Sequence, residues 1–151
     1  HTALRRQRQM CIRDRLDGLR AKLSNAPLPF KTEVVEADAA RLPLSTGAYD
    51  CVVDTFGLCV YDAPVAVLRE LGRVVKPAGR ILLLENARPS NALLGAYVDA
   101  TAGFVAKNGG KGCRYDQDVE ALARAAGLRV VRSERFGGGF FGSFELAPPP
   151  R

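Results

Sequence analysis

Three acidic side chains each stand where a predicted β-strand ends. Asp38 follows the letters TEVVEA, Asp54 ends YDCVVD, and Glu85 follows ILLL. In an open α/β sheet the carboxyl ends of parallel strands meet at one edge, and ligands bind in the loops there. A carboxylate at such an edge can accept hydrogen bonds from a ligand or act as a general base. Glu85 is the catalytic candidate, either as a base or as a group that orients the substrate.

Each of these residues also has a purely structural interpretation. Asp38 is equally well explained as a turn residue that binds its own backbone, and Asp54 as the end of a strand. Glu85 could be an acid that faces solvent. Arg88 could bind an anionic group or lie free on the surface. The residues alone do not decide between these alternatives.

Metal and redox chemistry find little support in the sequence. The four cysteines, Cys11, Cys51, Cys59 and Cys113, form no CxxC pair, and the only histidine is His1. The ligand spacing of a zinc site is therefore missing, and we expect no metal. Cys51 and Cys59 lie in apolar stretches, so we expect small buried hydrophobic side chains of a reducing compartment.

Composition and charge indicate one soluble globular domain without a nucleic-acid surface. The chain has 151 residues, of which 47% are hydrophobic and 25% charged. The net charge of +6 comes mainly from residues 1–15, which hold five arginines and one aspartate. A nucleic-acid surface would need a basic stripe inside the fold, and none is visible. No apolar run is long enough to cross a bilayer.

The first fifteen residues raise a question of origin. Residues 8–15, RQMCIRDR, resemble translated sequencing-adapter read-through, so residues 1–15 are expected to be a non-native or disordered leader. The alternative is the start of a basic helix, because Ile12, Leu16, Leu19 and Leu23 fall on one helical stripe. We expect a partial domain over residues 16–146 and a Pro-rich tail over residues 147–151.

The predicted elements alternate between strand and helix. Strands are expected over residues 32–37, 49–54 and 81–84, and the last two are apolar on both sides, as is typical of central strands in a parallel sheet. Helices are expected over residues 16–24, 64–75 and 91–106 and in the stretch that begins near residue 116. Two final strands, residues 128–136 and 140–146, flank three glycines at hairpin spacing. This order predicts an α/β fold with a mainly parallel sheet that ends in an antiparallel hairpin.

Capping residues define the expected helix starts. Asp62 is the predicted N-cap of the helix over residues 64–75, with Pro64 in its first turn. Asp116 is the predicted cap of the last helix.

From Thr32 to Leu146 the sequence resembles the class I S-adenosylmethionine-dependent methyltransferases. The resemblance is carried by the element ending in LP at Asp38–Leu44, by the YDxVV strand and by the block LRELGRVVKPAGRILLLE. It implies an incomplete Rossmann-like methyltransferase fold, because the first two family strands and the glycine-rich GxGxG loop are missing. Gly137–Gly139 cannot replace that loop, since these glycines lie in a hairpin and open no helix.

The resemblance also implies cofactor-binding residues. Asp38 matches the residue that accepts a hydrogen bond from the adenine amino group, and Ala39 matches the residue whose amide meets the ring. Asp54, Thr55 and Phe56 match positions that line the methionine end of the cofactor and the transferring methyl group.

In this family the helix over residues 91–106 lies beside the acceptor pocket. Six of its residues fall on roughly one face: Leu93, Leu94, Tyr97, Thr101, Phe104 and Val105. They suit a hydrophobic acceptor, and ordinary core packing is the alternative.

Within the family, the segment TFGLC and the block that runs into LLLENARPS look most like the methyltransferase-like-7 group and its mitochondrial relatives. Asn86 stands where that group usually has histidine, and Ala78 where it usually has glycine. The compartment expected from this resemblance is intracellular, with mitochondrial or membrane association as options through a segment further upstream.

The function implied by the resemblance is methyl transfer from S-adenosylmethionine to a small apolar acceptor such as a thiol, a quinone or a lipid. The chain as given is expected to be inactive alone. The main alternative is a non-catalytic Rossmann-like interaction module that has lost its cofactor. A dinucleotide dehydrogenase is disfavoured by the late sequence block and the terminal hairpin.

Overall fold

The computed structural model describes residues 16–26, 29–30, 32–108 and 113–149. The chain divides into two compact units, His1–Ala37 and Asp38–Arg151. The predicted leader over residues 1–15, including Ile12 of the helical stripe, lies outside the described residues, as do residues 150–151 of the predicted tail. Ala147, predicted as the first tail residue, belongs to the last strand.

The first unit contains one described helix, α1, over residues 16–25, as predicted. Asp17 and Arg20 form an ion pair at 3.0 Å on its surface. The strand predicted over residues 32–37 is wrong, because these residues form no regular element. A strand needs a partner for its backbone groups, and a β-branched pattern alone does not supply one.

The second unit is built on a four-stranded sheet. Its strands are β1 (Tyr49–Thr55), β2 (Val75–Asn86), β3 (Arg129–Phe136) and β4 (Phe141–Ala147), in the order β1-β2-β4-β3. β1 runs parallel to β2, whereas β4 is antiparallel to both β2 and β3. The predicted hairpin is confirmed. The sheet is mixed, and the described strands include a single parallel pair.

Three helices belong to this unit: α2 (Pro64–Val74), α3 (Ala92–Asn108) and α4 (Val119–Ala125). Pro64 lies at the first position of α2, where its missing amide donor costs nothing. The cap positions differ from those predicted. Ala63 is the N-cap of α2 in place of Asp62, and Asp118 caps α4 in place of Asp116, accepting from the Ala121 amide at 3.0 Å.

The core lies between one face of the sheet and helices α2 and α4. Alternation along β2 buries Ile81 and Leu83 on this face, and alternation along β4 adds Phe144 and Leu146. From α2, the core receives residues at helical spacing: Val67, Leu68 and Leu71.

The opposite face of the sheet is open at several apolar positions. Leu82 is 40% exposed and Val53 is 65% exposed. Cys51 shares this side of β1 and is exposed, so the prediction of a buried Cys51 is wrong, whereas Cys59 is buried as expected. β1 is the edge strand of the sheet and not a central strand, because it pairs with β2 alone among the described strands.

Helix α3 presents an apolar surface to its surroundings. Leu93 is 83% exposed, Tyr97 65% and Phe104 73%, while Gly95, Val98 and Ala102 form its buried side. The alternative interpretation of this face as ordinary core packing is therefore wrong for Leu93, Tyr97 and Phe104, because all three are exposed. No helix among the described residues has the length and apolar character needed to cross a membrane.

Candidate active site

The carboxyl ends of β1 and β2 form one edge of the sheet. Thr55 lies opposite Leu84, and the Phe56 amide donates to the Leu84 carbonyl at 2.8 Å, which extends the pairing one residue past β1. Asp54 and Glu85 therefore stand at neighbouring positions of the edge, as the sequence predicted from the rule for parallel strands.

Glu85 is fully buried beneath the loop that follows β1. Its Oε1 accepts a hydrogen bond from the Gly57 amide at 2.9 Å, and the nearby amides of Leu58 and Cys59 lower the pKa of its carboxyl. These amides open the short 3-10 turn Leu58–Val60 and would otherwise lack partners. Glu85 thus holds the start of this turn.

Burial raises the pKa of Glu85 to about 7, with a further rise from the charge of Asp54 and an opposing effect of the three amides. The carboxyl is therefore close to half protonated at neutral pH. Its Oε2 is buried and has no hydrogen-bond partner within the described part of the chain. A protonated carboxyl would carry a donor, which suits a neighbouring acceptor.

Asp54 is a second acid beside Glu85, and its side chain is half-buried. Burial raises its pKa, while hydrogen bonds from the Thr55 amide and the Tyr61 hydroxyl lower it. Burial, followed by the charge of Asp54, raises the pKa of Tyr61. Asp54 Oδ2 is also buried and lacks a hydrogen-bond partner among the described residues. We call Asp54, Tyr61 and Glu85 the carboxyl cluster.

Gly57 leaves room for the carboxyl cluster. A Cβ at this position would lie 2.7 Å from the Tyr61 hydroxyl and closer still to the Asp54 carboxylate. Real Cβ atoms do not approach other atoms so closely. The glycine is therefore required by space, since its φ of −92° suits any residue.

Phe56 carries a strained backbone at the same edge. It is the single non-glycine residue with positive φ, at 54°, in the described part of the chain. Its ring meets the Phe141 ring edge-on at 6.1 Å, and Phe141 stacks on Phe136 at 5.9 Å. We call these three side chains the aromatic patch; their exposed fractions are 45%, 37% and 46%. Strain of this kind is concentrated at functional sites.

Polar side chains behind the turn complete the site. Asn86 is 7% exposed and hydrogen-bonds Cys59. Gln117 Nε2 donates to the Leu58 carbonyl at 3.1 Å, while its Oε1 is buried and lacks a partner in the described chain. No group of three metal-ligating side chains occurs among the described residues.

Comparisons with known proteins agree with this architecture. Residues 10–83 match the sequence model of the family described as Methyltransferase domain. A putative methyltransferase from Bacillus halodurans superposes with a TM-score of 0.67 at 20% identity, over 82% of this chain and 52% of that one. The fold is that of a class I methyltransferase. The same fold occurs in the [4+2]-cyclase SpnF, with a TM-score of 0.66 at 14% identity over 87% of this chain and 61% of that chain.

Sequence comparison with curated proteins finds relatives that are quinone methyltransferases. The chain is 32% identical over 126 residues to the ubiquinone/menaquinone biosynthesis C-methyltransferase UbiE of Azotobacter vinelandii, covering 80% of this chain and 50% of that protein. It is 40% identical over 81 residues to UbiE of Pseudomonas fluorescens, covering 54% of this chain and 32% of the relative. The chain thus spans half or less of the length of these relatives. The similarity is therefore to UbiE methyltransferases, and the specific resemblance to the methyltransferase-like-7 group expected from the sequence is wrong.

The structure brings together only some of the predicted site residues. Asp54, Thr55, Phe56 and Glu85 share the edge of the methyltransferase sheet. Glu85 is buried, so the alternative interpretation of Glu85 as a solvent-facing acid is wrong.

Asp38 and Ala39 lie in a turn of their own. Asp38 Oδ1 accepts from the Ala40 amide at 2.9 Å, so the turn interpretation of this residue describes its observed contacts. The half-buried Ala39 packs against the core cluster.

Arg88 is engaged by an acid within the fold. Its guanidinium binds both carboxylate oxygens of Asp99 on α3, at 2.8 and 2.7 Å. A Cβ at Gly95 would approach the same guanidinium to 2.8 Å. The observed role of Arg88 is therefore to fasten α3 to the loop after β2.

Several site residues were missed in the sequence. Tyr61 and Gln117 reach the site from loops, and no periodic pattern marks them. Gly57 had a usable signal, because a glycine close to a strand end often marks a close approach of neighbouring atoms.

Proposed function

We propose that the protein containing this chain transfers a methyl group from S-adenosylmethionine to a small apolar acceptor of the quinone type. The observation that carries the proposal is the edge of β1 and β2, where the carboxyl cluster and the aromatic patch lie side by side through Phe56. The match to a methyltransferase domain and the quinone methyltransferases among the relatives support it.

The residues present fit the cofactor on chemical grounds. S-adenosylmethionine carries a sulfonium and an ammonium group, and the buried Asp54 Oδ2 is an acceptor without a partner in the described structure. When bound, the cofactor supplies a methyl group that is already activated. We propose that Asp54, Thr55 and Phe56 hold its methionine end, partly through backbone atoms. At the other end, the exposed carboxylate of Asp38 and the amide of Ala39 would hold the adenine.

The aromatic patch fits a flat, apolar acceptor. Phe56, Phe136 and Phe141 are partly exposed although each ring is large and apolar. Rings of this kind gain stability from offset stacking or from edge-to-face contact with another ring. A quinone ring would find such a surface next to the methyl donor, while thiol or lipid acceptors would gain less from it.

Glu85 is proposed to position the site and not to contact the acceptor. A general base must come within hydrogen-bond reach of the proton it removes. Glu85 is fully buried, and its carboxylate accepts a hydrogen bond from the Gly57 amide at the start of the turn. Its part in methyl transfer is therefore to fix the loop that carries Phe56.

The proposal is tested by methyl transfer in the full-length protein, with S-adenosylmethionine labelled on the methyl group and a short-chain quinol as acceptor. We compare Phe141→Leu with the control Phe30→Leu, which changes an exposed ring in the other unit. Phe141→Leu should raise the KM for the quinol about three- to tenfold, the loss of one aromatic contact. The control should leave it unchanged.

Two outcomes would overturn the proposal. Absence of labelled product with quinols, but transfer to a thiol, would remove the quinone acceptor. Binding of S-adenosylmethionine without any transfer would favour the non-catalytic alternative.

A further inference from the structure

Two cysteines far apart in sequence meet beside the carboxyl cluster. Cys59 lies in the turn after β1 and is 1% exposed, while Cys113 precedes α4 and is half-buried. The Arg114 amide donates to the Cys59 carbonyl at 2.9 Å, and the Cys113 thiol contributes to the raised pKa of Cys59. The backbone segments that carry the two cysteines are therefore neighbours, as disulfide formation requires.

A second contact fixes the same two segments against each other. Gln117 Nε2 donates to the Leu58 carbonyl at 3.1 Å, one residue before Cys59. The segment that contains Cys113 and Gln117 thus lies along the turn at two successive residues.

We propose that Cys59 and Cys113 form a reversible disulfide that fastens residues 113–117 to the turn held by Glu85. The oxidant is a low-molecular-weight disulfide such as oxidised glutathione. The half-buried Cys113 thiolate attacks it, forms a mixed disulfide and releases one glutathione thiolate. Cys59 then loses its proton to solvent and attacks the Cys113 sulfur, which releases the second glutathione. Two protein thiols are oxidised and one glutathione disulfide is reduced.

The second step should be slow and pH-dependent. Burial raises the pKa of Cys59 to about 11, with further effects of its neighbours: Asn86 lowers it, and Cys113 and Glu85 raise it. Tyr61 also lies within electrostatic reach. The attacking species is the thiolate, so ring closure should accelerate roughly tenfold per pH unit between pH 7 and 9.

The test uses the whole chain with Cys11→Ser and Cys51→Ser, so that only the pair remains. Incubation with oxidised glutathione should remove the mass of two hydrogen atoms, and peptide mapping should find Cys59 joined to Cys113. Dithiothreitol should reverse it. Adding Cys113→Ser should abolish the cross-link, and adding Cys59→Ala should leave a glutathione adduct on Cys113.

Hydrogen exchange provides the structural readout. The amides of Leu58 and Cys59 should exchange more slowly in the oxidised chain than in the reduced chain. A stable glutathione adduct on Cys113 with Cys59 intact, or no reaction at pH 9, would overturn the proposal. The retained fold of each variant is checked by circular dichroism.

Discussion

Glu85, which is buried, and Asp54, which is half-buried, are two acids that share one site. The charge of Asp54 raises the pKa of Glu85, and each acid keeps one oxygen without a partner in the described structure. The pKa of about 7 therefore describes Glu85 beside a charged Asp54. The turn after β1 depends on the Glu85 carboxylate in either protonation state, because both forms can accept from backbone amides.

The raised pKa of Glu85 predicts a stability that falls with pH. The folded chain binds a proton more tightly than the unfolded chain, whose carboxyl titrates near 4.5. The contribution is therefore fully present below pH 4.5 and is lost as the pH rises through about 7. Denaturant unfolding at pH 5 and pH 8 should show a loss on the order of 1–3 kcal/mol in the wild type.

The matched variants isolate this effect. Glu85→Gln keeps an acceptor for the Gly57 amide but cannot titrate, so most of the pH dependence should disappear. Glu134→Gln changes an exposed acid on β3, so this variant should show the same pH dependence of stability as the wild type. Identical pH profiles for wild type and Glu85→Gln would contradict the assignment.

Asp38 is the second residue whose role can be measured. We predict that Asp38→Ala in the full-length protein weakens S-adenosylmethionine binding by one charge-assisted hydrogen bond, on the order of 1.5–3 kcal/mol. Calorimetric titration measures the change, with Asp50→Ala as a control that removes an exposed acid paired with Lys76. Unchanged affinity with an intact fold would reduce Asp38 to the turn residue that its contacts describe.

At the scale of elements, the turn after β1 is the part that joins strand, carboxyl cluster and aromatic patch. The Phe56 amide continues the pairing with β2, and Gly57 leaves room for the acids. The Gly57 amide, at the start of the 3-10 turn Leu58–Val60, donates to Glu85. A change that enlarges Gly57 should therefore disturb every part of the site at once.

Two glycine variants test the close packing of this turn. Gly57→Ala should destabilise the chain by about 1–3 kcal/mol, because the new methyl group overlaps the Asp54 carboxylate and the Tyr61 hydroxyl. Gly103→Ala in α3 meets open space and should stabilise by about 0.5–1 kcal/mol. Thermal and denaturant unfolding measure both. A neutral Gly57→Ala would mean that the turn can move away from the cluster.

Sequence predicted the elements whose signal is local and missed those that depend on distant partners. The segment over residues 64–75 was predicted as a helix and forms α2, and the three glycines between two predicted strands identified the hairpin. Whether residues 32–37 form a strand depends on a partner elsewhere, so their β-branched pattern was misleading.

The features of the site likewise divide into those that the sequence predicted and those that it did not. The meeting of Asp54 and Glu85 followed from the rule for parallel strands. The left-handed Phe56 and the approach of Tyr61 could not be predicted, because they arise from the path of a loop. Cap choice between Asp116 and Asp118 shifted by half a turn, within the usual uncertainty of helix ends.

For the whole molecule, the exposed side of β1 is the surface that most favours self-association. The strand lies at the edge of the described sheet and carries Val53, which is 65% exposed. An apolar edge strand with unpaired backbone groups is a template for association. The curated relatives extend well beyond the part that this chain matches.

We therefore predict that the isolated residues 16–151 are marginally stable, self-associate and do not bind S-adenosylmethionine at micromolar concentration. Sedimentation velocity should show concentration-dependent oligomers. Val53→Lys should increase the monomer fraction, because a charge on an edge strand opposes pairing. Arg129→Lys, which keeps the charge of an exposed residue on β3, should not. A monodisperse monomer with a cooperative melt and micromolar cofactor binding would contradict this prediction.

The most direct test of the account is the titration of S-adenosylmethionine into the full-length protein carrying Asp54→Asn. The control is Asp50→Asn on the same strand, where the acid is exposed and pairs with Lys76 at 2.7 Å. If the edge of β1 and β2 holds the cofactor, Asp54→Asn should weaken binding about tenfold or more, the loss of a charged acceptor, and Asp50→Asn should bind like the wild type. Equal affinities for all three proteins, or no binding by the wild type, would contradict the assignment of this edge as the cofactor site.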